Sequence, residues 1–314
     1  MNITSMIFIC GLKLPLMKFF DKLSNGDISS SYVYKMLQKA NPREYPRLLK
    51  GLYYINTGLE LNLDEPVLFN EKIQWMKIYD FASLKTELAD KYLVREWVDE
   101  RIGKAYLTNL FGVWNSFDEI DFDKLPNAFF LKCNHGSGFN FPVKDKNLID
   151  KYAVKRQFDE WMNYNFAYRC LEMQYRDIVP RIIAEEFIEQ ENGNLMDYKI
   201  HVFNGEPRLI QIIGNRNLSK HTAREILLTT EWGKLNPGHH DYPEYNYIPD
   251  KPSNLDEMLD IAHILGEGFR YVRVDLYDLD GQIRFGEMTF TPCAGYEPWN
   301  HDFQELLGSW IDLS

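Results

Sequence analysis

The sequence predicts an α+β protein built largely on antiparallel sheets. Helical apolar spacing runs through residues 30–103. Short apolar runs then replace it, one pair of them separated by a strong hairpin dipeptide. Helical spacing returns near residue 253, and a strand–turn–strand pattern follows it. At 314 residues the chain can bury a large core and hold two or three subdomains.

The first segment, Met6-Ile-Phe-Ile-Cys10, is apolar, but Gly11 and Lys13 interrupt it early. The run as far as Phe20 is too short and too broken to span a bilayer. No basic residue precedes it, as a secretory signal would require. It reads as a docked or interfacial segment, which keeps peripheral contact with the inner membrane surface among the expected partners. Farther on, Phe69, Ile73, Met76 and Tyr79 fall at helical spacing, and Leu88, Tyr92 and Trp97 do so more loosely. Gly103 is the expected C-terminal stop. Acidic residues over 117–125, closed by Pro126, mark a boundary.

The strand-like runs are Ala128-Phe-Phe-Leu131, Arg181-Ile-Ile-Ala-Glu-Glu-Phe-Ile188, Ile200-His-Val-Phe203 and Leu209-Ile-Gln-Ile-Ile213. Asn204-Gly205 joins the last two as a hairpin turn. Ser253 is placed to cap a helix whose apolar face is Leu255, Met258, Leu259, Ala262 and Leu265, with Asp256 completing the cap.

Composition narrows the function. The hydrophobic share of 45% and charged share of 26% are those of a globular protein. A net charge of −11 speaks against a fold-wide basic surface, so nucleic acid is not an expected partner. Cys10, Cys133, Cys170 and Cys293 show no C-x-x-C spacing, which fits a reducing, cytoplasmic setting without a disulfide framework or structural zinc.

The strongest chemical signal is the late hairpin, Tyr271-Val-Arg-Val-Asp-Leu-Tyr277 followed by Gln282-Ile-Arg-Phe-Gly-Glu-Met-Thr289. Period-2 geometry puts Arg273 and Asp275 on one face with Tyr271 and Tyr277, and Val272, Val274 and Leu276 on the other. On the return strand Glu287 and Thr289 share a face. A two-residue Asp280-Gly281 turn would set Asp275 and Glu287 on opposite sides. A three-residue turn, Leu279-Asp280-Gly281, sets them on the same side. It then places Arg273 opposite Glu287 and Asp275 one diagonal step away, roughly 7–8 Å between Cα atoms. Two carboxylates and a hydroxyl on one stiff surface suit a hard cation, Mg²⁺ above all. The plain alternative is a cross-strand salt bridge on a solvated face.

Three further constellations bear on chemistry. Lys132 ends an apolar strand, and Cys-Asn-His135-Gly136-Ser137-Gly138 follows at once. Such glycines let backbone N–H groups approach phosphate oxygens while the ammonium adds a point charge. It is not a Walker A sequence, because the Lys precedes the glycines. A surface Lys before a flexible loop is the simpler reading of the same residues. Glu185, Glu186, Phe187 and Ile188 form a candidate hinge whose backbone would pair with an adenine edge. Asp197 and Lys199 share a strand face, the acid suited to ribose hydroxyls and the base to phosphate. Arg216 adds a phosphate or carboxylate partner. For both of these, exposed or salt-bridged sheet surface is the alternative.

Taken in order, these pieces resemble the ATP-grasp superfamily. The hairpin is similar to that of D-alanine–D-alanine ligase, with R-V-D-F and E-x-N-x-x-P-G matched here by Arg273-Val-Asp-Leu and Glu287-Met-Thr-Phe-Thr-Pro292, and Gly295 slightly displaced. The middle resembles the ligase that adds glutamate to a ribosomal protein. Four segments are similar to the TupA-like ATP-grasp family of surface-polysaccharide, capsule and teichuronopeptide gene sets. They are Phe69-Asn-Glu-Lys-Ile-Gln-Trp-Met, Asp90-Lys-Tyr-x-Val-Arg95, Leu131-Lys-Cys-Asn-His-Gly-Ser-Gly138 and Phe203-Asn-Gly-Glu-Pro207. The likeness covers roughly residues 65–300 of the chain.

The resemblance implies an ATP-grasp fold, two α+β lobes gripping ATP after a mostly helical region. The helical region would be 1–100, the lobe with the lid loop 101–186, and the lobe with the metal hairpin 187–314. Lys132 would hold the α/β-phosphates and the 136–138 loop would cover the β/γ-phosphates, with His135 beside it. Backbone near Glu186, Phe187 and Ile188 would read adenine, Glu185 would lie near its amino group, and Asp197 would take the ribose. Asp275, Glu287 and Thr289 would bind one or two Mg²⁺ ions. Thr289 stands where many relatives have Asn, and a hydroxyl is the poorer ligand. Arg273, Arg216 and Lys199 would carry the catalytic charge, with Arg273 facing an acyl phosphate. The implied reaction is ATP-dependent joining of a carboxylate and an amine, with a uronic acid and an amino acid as the expected small-molecule or glycan substrates. A sugar or lipid-glycan kinase on the same fold is one alternative. A glycosyltransferase is another, but Asp278-Leu-Asp280 sits in a turn rather than on the loop such an enzyme uses.

Overall fold

The period-2 runs form two separate antiparallel sheets in the computed structural model, which describes residues 30–188, 195–217 and 222–314. The apolar segment at residues 6–20 lies outside them. None of the described helices is long and apolar enough to cross a membrane.

The first sheet has four strands in the order β1 (Leu110–Trp114), β4 (Ile182–Glu186), β2 (Phe129–Cys133) and β3 (Asn140–Val143). Alternation along β2 buries Phe129, Leu131 and Cys133 against Phe117, Phe158 and Val143. Phe130 and Lys132 point the other way.

The second sheet has five strands in the order β7 (Thr222–Leu228), β6 (Glu206–Asn217), β5 (Asp197–Phe203), β8 (Tyr271–Leu279) and β9 (Gln282–Thr289). Its outer face is apolar. Ile200, Val202, Ile212, Val272, Val274 and Leu276 pack on Met258, Ile261, Ala262 and Leu265 of the helix Leu255–Gly266. Its inner face carries Asp197, Lys199, His201, Gln211, Glu225, Arg273 and Asp275, all buried. A sheet that buries charge on one face needs every charge paired, and this requirement organises the site.

The helices α1 (Ser30–Lys39), α2 (Tyr45–Thr57), α3 (Phe69–Tyr79), α4 (Ser83–Ala89) and α5 (Val94–Ile102) are divided among different cores. Residues of α1 and α2 pack against the 166–178 segment. Phe69, Ile73 and Met76 of α3 meet Phe203, Tyr271, Phe303 and Leu307. Leu88 of α4 and Val94 and Val98 of α5 join the outer core of the second sheet. Gly103 ends α5 at φ 100°, as its position suggests, whereas Tyr79, placed on the apolar stripe, is exposed.

Two local expectations are corrected. Ser253 does not cap the helix that follows. The Leu255 N–H bonds back to Pro252 O as a turn, so the helix starts later and Asn254 stands at its cap. The hairpin turn is also shorter than the three-residue form. Asp280 and Gly281 take φ 51° and 91°, and Leu279 pairs with Gln282. Such a two-residue turn demands left-handed backbone at both positions, which Asp tolerates and Gly favours. Parity is restored elsewhere, by a bulge. Leu276 pairs with Phe285 and Asp275 with Glu287, leaving Gly286 as the extra residue. A Cβ at Gly286 would lie 3.0 Å from the Asp275 carbonyl oxygen and 3.1 Å from the Tyr277 ring. Glu287 therefore stands directly across from Asp275, and Arg273 is opposite Thr289 rather than Glu287.

Candidate active site

The inner faces of the two sheets border a cavity of about 740 Å³, a size that suits a small molecule. Lys132, Ser137, Gly138, Glu185, Glu186, Phe187 and Ile188 reach it from the first sheet and its loops. Asp197, Lys199, Arg216, Asp275, Tyr277 and Glu287 reach it from the second.

The carboxylates at its base are held by cations. Arg273 donates from Nε to Asp275 Oδ1 at 2.7 Å and from Nη2 to Oδ2 at 2.8 Å. Lys199 donates to the same Oδ2 and lies 2.9 Å from Asp197 Oδ2. Arg216 reaches Asp197 at 3.0 Å. Burial and the Arg273 charge work against the Lys199 ammonium, yet Asp197, Asp275 and Glu287 hold its pKa above the ordinary value. Burial pushes the Asp275 carboxyl up, against the pull of Arg273 and Lys199. Burial alone would also raise Glu287, but Lys91, Lys199 and Arg273 bring it down to about 2. Glu287 is thus ionised and turned toward the cavity.

At the other sheet, Lys132 donates to Glu185 Oε2 at 2.7 Å, and Arg95 donates to Oε1 at 2.8 Å. Burial would raise this carboxyl, but Lys132 and Arg95 hold it below its usual range. Phe130 and Phe187 stack with centroids 5.8 Å apart, beside the Lys132 and Lys144 ammonium groups.

Several expected residues occupy other places. His135 does not line the cavity, because its Nε2 is bonded to Trp161 O at 3.0 Å and its ring is buried. Burial pushes this imidazole down, so it is a neutral anchor for the loop. Gly136 is likewise turned inward, where a Cβ would meet Phe139 and Phe166 at 2.8–2.9 Å. Ser137 and Gly138 alone of that loop face the cavity. The Glu186 N–H already donates to Asn109 O at 2.9 Å, so that donor is taken within the fold. Arg273 and Thr289 lie behind the Asp275–Glu287 pair rather than in the cavity wall.

The cavity also contains residues that spacing did not single out. Lys91 donates to Gly136 O at 2.8 Å and lies 3.4 Å from Glu287, tying the glycine loop to the hairpin. Arg95 and Lys91 both belong to the segment Asp90-Lys-Tyr-x-Val-Arg95, and that motif was the signal for them. Asp90 accepts from Asn134 Nδ2 at 2.8 Å, which fixes the segment against the loop. Lys144 had no such signal, whereas Tyr277 was placed by period 2 on the face of Asp275.

A family model described as TupA-like ATPgrasp matches residues 71–312. Among solved structures, the D-alanine–D-alanine ligase of Bacillus anthracis complexed with ATP is similar at 16% identity and a TM-score of 0.41. That match covers 65% of this chain and 55% of the ligase. The corresponding ligase of Helicobacter pylori gives 14% identity and a TM-score of 0.44, over 78% and 69%. An L-amino acid ligase from Bacillus licheniformis gives 11% and 0.40, over 70% and 48%. The chain thus spans little more than half the length of the first of these ligases. No curated protein matches it.

Proposed function

The chain belongs to the TupA-like ATP-grasp family, and from that premise we propose that it is an ATP-dependent carboxylate–amine ligase acting through an acyl phosphate. Its substrates are a uronic acid and an amino acid of bacterial surface-polysaccharide synthesis. One observation carries this reading. A single cleft joins cations from both sheets to a pair of carboxylates on adjacent strands, the arrangement a magnesium-bound polyphosphate needs.

Lys132 and Lys144, with Ser137 and Gly138 above them, bind the phosphate chain. Adenine lies against the Phe130–Phe187 stack, its edge read at Phe187 and Ile188, and Asp197 takes the ribose. Asp275 and Glu287 would hold Mg²⁺, with Thr289 behind them donating to Glu287 Oε1 at 3.3 Å. The donor set fits this ion, being all oxygen, with Glu287 ionised and held by Lys91, Arg273 and the Thr289 hydroxyl. The ion would supply charge neutralisation between phosphate oxygens and these carboxylates. Arg273 holds both carboxylates in place from behind.

The substrate carboxylate attacks the γ-phosphorus, giving an acyl phosphate and ADP. The amine then displaces phosphate and forms the amide. Positioning and electrostatic stabilisation are the chain's contribution to both steps. The Ser137–Gly138 loop, anchored through Gly136 to Lys91, excludes water from the acyl phosphate.

The test is a melt of the full chain with ATP·Mg²⁺, then a screen for ADP release with uronic acids, amino acids and their pairs. Saturation at about 100 times the dissociation constant adds about 2.7 kcal/mol. A shift with UDP-sugars and none with ATP would replace this reading with a glycosyltransferase. ADP release with a neutral sugar and no amine would replace it with a kinase.

A further inference from the structure

The segment after β9 lies outside the cavity lining, yet side chains of α3 hold it at several points. Cys293, Ala294 and Gly295 take φ values of 47°, 52° and 71°, three left-handed residues in a row. One face of α3 fixes them. Gln74 Nε2 donates to Ala294 O at 3.0 Å and Gly295 O at 2.8 Å, and Lys77 Nζ donates to Ala294 O at 2.6 Å. Asn70 grips both backbone groups of Glu297, donating to its O at 2.9 Å and accepting from its N at 3.0 Å. The polar half of Phe69-Asn-Glu-Lys-Ile-Gln-Trp-Met is therefore a clamp on this segment.

What the clamp presents is an unpaired carboxylate. Glu297 is 4% exposed, its Oε2 is enclosed, and no group among the described residues donates to it. A buried carboxylate without a donor is costly unless something else supplies one. One oxygen of Glu297, one of Asp241 and Cys293 Sγ all lie within 4.8 Å of one another. Cys293 Sγ is 3.5 Å from Asp241 Oδ2. Asp241 and Cys293 are exposed, so the cluster opens outward. Its surroundings are acidic, with Glu225 and Asp241 acting on Glu297, and Arg273 and Lys199 reaching it from the phosphate side. Charge is thus divided along the inner face of the second sheet, cationic where phosphates bind and acidic beyond Arg273.

We infer that Asp241, Cys293 and Glu297 seat the ammonium group of the amine substrate, with Glu297 accepting its proton. This rests on the ligase reading. An ammonium has three donors and one charge, and two carboxylates and a sulfur offer acceptors for them. Partial burial, and then the Glu297 and Asp241 carboxylates, push the Cys293 thiol up, so it sits in the cluster as a neutral S–H. Burial and the Asp241 charge raise Glu297 to about 8, which brings it near an amine in proton affinity. The charge of a bound ammonium favours the ionised form of Glu297, and in the step itself the ammonium gives one proton to that carboxylate. The freed lone pair forms the C–N bond to the acyl carbon, the C–O bond to phosphate breaks, and the second N–H proton leaves with the phosphate.

The experiment compares two nucleophiles on the full chain with ATP·Mg²⁺ and a panel of glucuronate, galacturonate and the common amino acids. Amide formation uses an ammonium, whereas hydroxylamine is neutral near pH 7 and traps the acyl phosphate as a hydroxamate. Glu297→Gln should lower amide formation about a hundredfold and leave hydroxamate formation little changed. Asp241→Asn should raise KM for the amine more than it lowers kcat. Asp241 is exposed, so this variant keeps the test open should E297Q not fold. Equal loss of both products, or loss of neither, in a folded variant overturns the inference alone. A wild-type protein that makes neither product overturns the ligase reading and this inference together.

Discussion

Asp275 and Glu287 face each other across β8 and β9 because Gly286 stands out of the ladder as an extra residue. Without that residue the two-residue Asp280-Gly281 turn would send Glu287 to the apolar face, among Val274 and Met288. The shared carboxylate face is therefore made by a bulge, and the bulge depends on a residue with no side chain.

Gly286→Val tests this directly. Its side chain would press on the Asp275 carbonyl, a backbone atom that cannot swing aside. Overpacking of this kind costs about 1–3 kcal/mol. The variant should melt lower and lose most of its stabilisation by ATP·Mg²⁺. A full nucleotide shift in G286V would show that the register tolerates the change.

Acid should weaken the fold through Glu287. Its carboxyl sits at about 2 in the folded protein, against an ordinary 4.5. A depressed carboxyl binds its proton first in the unfolded chain, so its contribution is complete above about pH 4.5 and disappears as pH falls toward 2. Glu185 adds to the same slope. Urea denaturation over a pH series should give a flatter acid limb for Glu287→Gln than for the wild type.

Glu297 should act in the opposite sense. Burial, with Asp241, holds its carboxyl at about 8, so the folded state keeps a proton that the unfolded chain has already lost. The stability this gives is complete below about pH 4.5 and is lost as pH rises through 8. Glu297→Gln should match the wild type near pH 4 and be the more stable protein at pH 9. Parallel stability curves for the two would mean that Glu297 ionises normally.

The α3 clamp should also be measurable. Asn70→Ala removes two buried hydrogen bonds and leaves the Glu297 N–H and C=O without that partner. A loss of about 2–4 kcal/mol is expected, seen as a fall of several degrees in Tm. A change under about 1 kcal/mol would place the rigidity of the segment elsewhere, in Gln304, which also donates to Glu297 O at 3.0 Å.

The cavity-facing strands were legible because their pattern is local. Arg273 and Asp275 alternate with Val272 and Val274, and Asp197 and Lys199 alternate with Tyr198 and Ile200, so side-chain direction follows from period 2 alone. Asn204-Gly205 announced its own turn, with φ 48° and 84°. By contrast β1, β3 and β7 carry weak patterns and exist through their partners β4, β2 and β6.

Sequence alone determined the α+β class, the family resemblance, and that Arg273 and Asp275 share one strand face, while the bulge at Gly286 decided that Glu287 joins them. Tertiary structure decided who meets whom. Lys91 reaches Glu287 only because α4 and α5 pack beside the second sheet, and Asn70 reaches Glu297 across 227 positions of the chain. Period and turn propensity act over a few residues, while contacts between distant segments form only when apolar faces are buried together, and that burial fixed the register, the ion pairs and the unpaired carboxylate at Glu297.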